Sequence, residues 1–200
     1  MAVRPEDEIG PQLRMLGYAP EDVDRVVMTH WHTDHSGGIG YFAHSDILTT
    51  AESWQIAQGW GGRMVGYLPH RWPEWLNPTM IEFVPERFGP FEISVPLTAD
   101  GRVRIVPTPG HVSVIVEGDD GVFYFLAGDT SYTEGLMLAG RPDGVGGEES
   151  VDTLTKIQGF VQEFPTVYLP AHDPEGHIRL QKQQVVGSRS EFANEMICSS

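Results

Sequence analysis

Thr29-His30-Trp31-His32-Thr33-Asp34-His35-Ser36-Gly37-Gly38 sets four possible metal ligands, His30, His32, Asp34 and His35, within six residues. The apolar run Val26-Val27-Met28 before it reads as a buried strand. Ile39, Tyr41 and Phe42 follow the two glycines at a spacing that suits a short helix. The stretch is therefore a strand end, a ligand loop and a helix start. Along extended backbone, alternate side chains face the same way, so His30 and His32 can address one ion. Asp34 and His35 lie where the chain must turn, and their different directions allow a second ion a few ångströms away. Imidazoles with a carboxylate suit zinc or another borderline first-row divalent ion. One histidine in a polar loop is ordinarily a surface residue. Three with an aspartate behind an apolar strand form a ligand pattern.

One loop does not complete a site for two metals, and three downstream places offer the rest. Thr108-Pro109-Gly110-His111 follows the strand-like Val103-Arg104-Ile105-Val106. Ala127-Gly128-Asp129-Thr130 follows Val122-Phe123-Tyr124-Phe125-Leu126. Pro170-Ala171-His172-Asp173 follows Thr166-Val167-Tyr168-Leu169. Each apolar run ends in a single histidine or aspartate. Counting the first, four strands deliver ligands at their C-terminal ends, where open sheets commonly place sites.

His30-x-His32-x-Asp34-His35 followed by His111, Asp129 and His172 resembles the metallo-β-lactamase superfamily, over about residues 9 to 182. The resemblance implies an αββα sandwich with a dinuclear metal site, most simply two zinc ions. By position, one metal takes His30, His32 and His111, the other takes Asp34, His35 and His172, and Asp129 bridges both. Aspartate rather than cysteine at 129 argues against the true β-lactamase branch. Histidine rather than glutamate at 32 argues against the di-iron oxygen-reducing branch. Tyr132, three residues after Asp129, narrows the match to the N-acyl-homoserine lactonase group, where a tyrosine so placed hydrogen-bonds the substrate carbonyl.

The resemblance implies an enzyme that opens the lactone ring of N-acyl-homoserine lactones by attack of a metal-bridging hydroxide. Tyr132 would stabilise the oxyanion, and Asp34 or Asp129 would shuttle the proton. Two alternatives stand. One is another hydrolase on the same scaffold, a thioesterase of glyoxalase II type or a phosphodiesterase. The other is a truncated, non-catalytic homologue. Two departures from the family pattern motivate the latter. The strands that usually precede the first helix are missing, which leaves a sheet edge and an apolar face open; truncation, or a second copy of the chain in a homodimer, would account for this. The second departure lies at His111, where Val112-Ser113-Val114 follows directly and a second Gly-His pair is absent. His111 is then either the ligand beside a shortened loop or the counterpart of that second histidine.

At 200 residues the chain is read as a single domain, with residues 1–8 and 183–200 as loose tails. A net charge of −15, from 13 basic and 28 acidic residues, makes it a poor partner for nucleic acid. The expected partner is a small acyl lactone or other ester. Cys198 is the single cysteine, which excludes an intrachain disulfide. The absence of a long apolar run or a signal-like start predicts no membrane span and a cytoplasmic location.

Along the chain, Pro11 is expected to start a helix that turns Leu13 and Leu16 inward and stops at Gly17. Asp46–Thr49 reads as a strand and Ala51–Gln58 as a helix. Residues 59–97, rich in tryptophan, phenylalanine, glycine and proline, suit a lid with an acyl pocket or a self-packed excursion. Ala99–Arg102 and Gly118–Gly121 read as hairpin turns. Arg141–Gly147 reads as a loop, followed by a helix with Val151, Leu154, Ile157 and Val161 on one face. Asp173 and His177 read as surface or capping residues.

Overall fold

The computed structural model describes residues 4–108, 110–142 and 148–186. Pro109, residues 143–147 of the predicted glycine-rich loop, and the tail from 187 with Cys198 lie outside them. The chain forms two compact units, residues 1–82 and 83–200.

The first unit carries helix α1 (Ile9–Met15), strand β1 (Arg25–Val27), the short helix α2 (Thr33–Ser36), strand β2 (Asp46–Thr49), helix α3 (Ala51–Gln58) and strand β3 (Thr79–Met80). Its three-stranded sheet is parallel, in the order β1-β2-β3, with Val26 opposite Ile47 and Leu48 opposite Thr79. Beneath it lies a core of Met28, Trp31, Ile39, Phe42, Ile47 and Tyr67, against which Trp54 and Trp72 pack. Thr50 caps α3, which spans the predicted Ala51–Gln58, by accepting the Ser53 amide. Helix α1 begins two residues before Pro11. Leu13 packs on the core as expected, but Leu16 is 74% exposed. The helix ends at Met15, and the reversal at Gly17 (φ +89°) carries Leu16 off the buried stripe.

The second unit holds strands β4 (Val95–Pro96), β5 (Val103–Thr108), β6 (His111–Glu117) and β7 (Phe123–Gly128), helices α4 (Glu134–Leu138) and α5 (Glu148–Glu163), strand β8 (Thr166–Pro170) and helix α6 (Gly176–Lys182). Its five strands run in the order β4-β5-β6-β7-β8. The first three contacts are antiparallel hairpin or meander pairs. The last is parallel, because α4 and α5 carry the chain back before β8. Phe91, Val106, Ile115, Phe125, Leu154, Ile157, Phe160 and Tyr168 form the core. Helix α5 buries Thr153, Leu154, Ile157 and Phe160, while Val151 stays exposed. The buried stripe thus starts one turn later than the predicted face and takes in Phe160. The chain is held as far as Val186, whose amide donates to the Thr166 carbonyl.

Among the described residues, no helix is long and apolar enough to cross a membrane.

Candidate metal centre

The first unit builds a cluster of metal-type donors on Trp31. This side chain is fully buried between Trp54 and Trp72, at ring distances of 4.8 Å to each. Its indole Nε1 donates to Thr49 Oγ1 at 2.9 Å. Alternation along the extended backbone then turns both neighbours, His30 and His32, to the opposite side. Their facing nitrogens, His30 Nε2 and His32 Nδ1, lie 2.9 Å apart. The chain next turns through α2, where the His35 and Ser36 amides both bond to the His32 carbonyl. That turn brings the His35 ring 4.0 Å from the His30 ring, and His35 Nε2 lies 3.6 Å from Asp34 Oδ2. All four predicted ligands of the loop are therefore together.

The wall behind them comes from the segment 59–97, read in the sequence as a lid with an acyl pocket or a self-packed excursion. Tyr67 stacks on His32 at 4.4 Å, and Gly66 accepts both the amide and the hydroxyl of Thr33. Gly66 holds φ +105°, a conformation that favours glycine. A cavity of about 830 Å³ opens beside Asp34 and His35, walled by Val26, Met28, Ile39 and Phe42. Its volume lies within the range of small-molecule sites.

The second unit gathers donors of its own at one end of its sheet. Strands β7 and β8 run parallel with Gly128 opposite Pro170. Asp129 and His172 follow just past those ends, with Asp129 Oδ2 3.4 Å from His172 Nε2. Strand β6 pairs with β7 so that Val114 faces Leu126, and Ser113 Oγ bonds the Ala127 carbonyl. That pairing ends at Val114 and Leu126, short of His111 and Asp129. His111 begins β6 directly after a tight turn whose Gly110 has φ +70°. Tyr132 lies edge-on to His172 at 5.1 Å and is 45% exposed.

Asp173 is the residue whose setting departs most from its sequence reading. Its side chain is almost wholly buried. Burial works to raise its carboxyl pKa, but the amides of Glu134 and Glu175 and the Arg179 guanidinium outweigh that and hold it below the ordinary carboxylate value. It does cap, as predicted, but from inside the protein.

Residues 4–179 match the family model described as Metallo-beta-lactamase superfamily. The chain belongs to this superfamily. A curated relative, an N-acyl homoserine lactonase of Bacillus cereus, is 27% identical over 175 residues, spanning 85% of this chain and 64% of the relative. Metallo-beta-lactamase domain-containing protein 1 of Xenopus laevis is 26% identical over 174 residues, 84% of this chain and 61% of that protein. Among solved structures, an N-acyl homoserine lactone hydrolase with its product N-hexanoyl-L-homoserine at the catalytic metal centre superposes with a TM-score of 0.71. It is 23% identical, with 88% of this chain and 66% of that chain covered. The chain thus spans just under two thirds of the relatives it matches.

The superfamily binds divalent metal, and the residues present fit it. Two imidazole nitrogens 2.9 Å apart aim at one point, which a cation or a shared proton must occupy. An imidazole nitrogen and a carboxylate oxygen make the same approach in the second unit. Nitrogen and oxygen donors of this kind are those of borderline divalent ions.

Proposed function

We propose that this chain is a dinuclear metal-dependent hydrolase that opens the ring of N-acyl-homoserine lactones. The observation that carries the reading is the paired convergence of donors. His30 and His32 meet in the first unit, and Asp129 and His172 meet in the second with Tyr132 against them. By the superfamily's ligand pattern, His30, His32 and His111 would hold one cation and Asp34, His35 and His172 the other, with Asp129 serving both.

Two bound divalent ions, zinc in the simplest case, supply Lewis acidity and a water with its pKa lowered to about 7. The protein's own groups do the rest. Tyr132 donates its hydroxyl proton in a hydrogen bond to the lactone carbonyl oxygen as charge gathers there. Asp129 or Asp34 accepts the proton lost by the attacking water and returns it to the ring oxygen as the ester C–O bond breaks. The His32 ring is kept in place by Tyr67 and the His30 ring by the Trp31 anchor, so neither must be ordered on binding. The apolar walls beside Asp34 and His35 suit an acyl chain.

The test is metal analysis of the purified chain together with side-by-side assays of an acyl-homoserine lactone, a glutathione thioester and a phosphodiester. Two metal equivalents with lactone turnover are expected. A second reading is a thioesterase or phosphodiesterase on the same scaffold, since the superfamily match speaks to the fold and the metal chemistry and not to the substrate. Turnover of one of those substrates and not of lactone would establish it, and the absence of bound metal would refute both.

A further inference from the structure

Arg179, on α6, is only 1% exposed. A guanidinium is rarely buried without partners, and this one is surrounded by them. Its Nη2 bonds Asp173 Oδ2 at 2.6 Å, and its Nε donates to the Tyr168 carbonyl at 3.2 Å and lies 3.4 Å from Glu134 Oε2. Asp173 in turn accepts the Glu134 amide at 3.0 Å and the Glu175 amide at 2.9 Å. On the other side of β8, the Tyr168 hydroxyl lies 2.9 Å from Ser131 Oγ and 3.2 Å from Thr130 Oγ1. Ser131 Oγ continues to the Thr133 carbonyl, and Thr130 Oγ1 to the Ala127 carbonyl.

Two chain segments are tied by these bonds. One is the loop from Asp129 to Glu134, which carries Asp129 and Tyr132. The other is the end of β8, which carries His172 next to Asp173. These bonds add to the β7–β8 pairing, in which the Ala171 amide donates to the Gly128 carbonyl at 3.0 Å. A buried ion pair is weak grounds for stability, since an apolar pair of similar volume often serves as well. What such a network supplies is a fixed geometry, because each partner restricts the others.

We propose that Arg179, Asp173 and Tyr168 are positioning residues: a buried polar truss that sets the spacing of Asp129 and His172 and the approach of Tyr132 to the substrate. This rests on the reading above, in which Asp129 and His172 hold metal. None of the three touches substrate. They act through the residues they hold.

The experiment uses the full chain with Tyr168→Phe, Arg179→Lys and Arg179→Met. Zinc affinity is read by chelator competition, the cobalt-substituted protein by its visible spectrum, and kcat and KM by lactone assay. Amide hydrogen exchange of the metal-free protein is followed in residues 130–134 and 171–175. Tyr168→Phe and Arg179→Lys are expected to fold and to lose about 10- to 100-fold in affinity for one metal equivalent, the range seen when groups behind metal ligands are removed. The cobalt spectrum should change, kcat should fall with KM little moved, and exchange should quicken in both segments but not in β5 and β6. Wild-type zinc affinity, cobalt spectrum and exchange in folded Tyr168→Phe and Arg179→Lys would overturn the truss. If Arg179→Met does not fold, those two variants decide alone. If the wild-type chain binds no metal, the hydrolase reading falls, and exchange in the two segments still decides whether the truss holds them.

Discussion

Replacing Trp31 separates the two jobs of the metal loop, because one buried side chain stands between two ligands. Trp31→Phe keeps an aromatic ring between Trp54 and Trp72 but deletes the indole N–H. Thr49 Oγ1, itself fully buried, then loses its donor. Leaving such a group unsatisfied costs about 1–3 kcal/mol. For a chain of this size each kcal/mol lowers Tm by about 2–4 °C, which gives a fall of about 2–12 °C. Trp31→Ala adds the cavity and both ring contacts, for a total of about 3–5 kcal/mol, a large share of a normal domain's stability. The phenylalanine variant is thus the informative one. It should fold, but its His30–His32 pair should be looser and its zinc affinity about tenfold weaker. Calorimetry of the metal-free and zinc-loaded protein, with chelator competition, measures both effects. Trp60→Phe is the control: Trp60 is 91% exposed, and its replacement should stay within about 0.5 kcal/mol of wild type. A folded Trp31→Phe protein with unchanged Tm and zinc affinity would show that this indole does not anchor the ligands.

Three further outcomes are expected. Tyr132→Phe should lower kcat by about 100-fold, as loss of one oxyanion donor does elsewhere, with both metals still bound and Tm unchanged; wild-type kcat would remove Tyr132 from the chemistry. His32→Ala should abolish uptake of one metal equivalent and turnover together, so full activity in that variant contradicts the ligand assignment. Asp173 is held below the ordinary carboxylate value in the folded protein, so its contribution to stability is complete above the unfolded value of about 3.9 and is lost as pH falls through the folded one. Denaturation of the metal-free protein from pH 6 down to pH 2 should therefore show a shallower acid loss in Asp173→Asn than in wild type. An equal acid loss in both would mean that this carboxylate is not the group responsible.

The ligand loop was legible in the sequence because its chemistry is local. His30, His32, Asp34 and His35 are near neighbours by covalent connection, and the alternation of extended backbone alone sets the first two side by side. The strand ends carrying Asp129 and His172 were legible too, since an apolar run that stops at a polar residue marks where a buried strand reaches the surface. Residues whose roles depend on distant partners were not. Leu16 and Val151 fit the helical period but lie where the helix has passed the edge of the core. Periodicity counts spacing, and only the packed neighbour decides where a stripe begins. His111 stayed open between two alignments, because a register is a property of two strands, not of either one, and the pairing of β6 on β7 ends at Val114 and Leu126. Asp173 read in sequence as a surface or capping residue, and Arg179 carried no signal at all. Their burial and the loop they hold come from α4 and α6 meeting the end of β8, which no local pattern encodes.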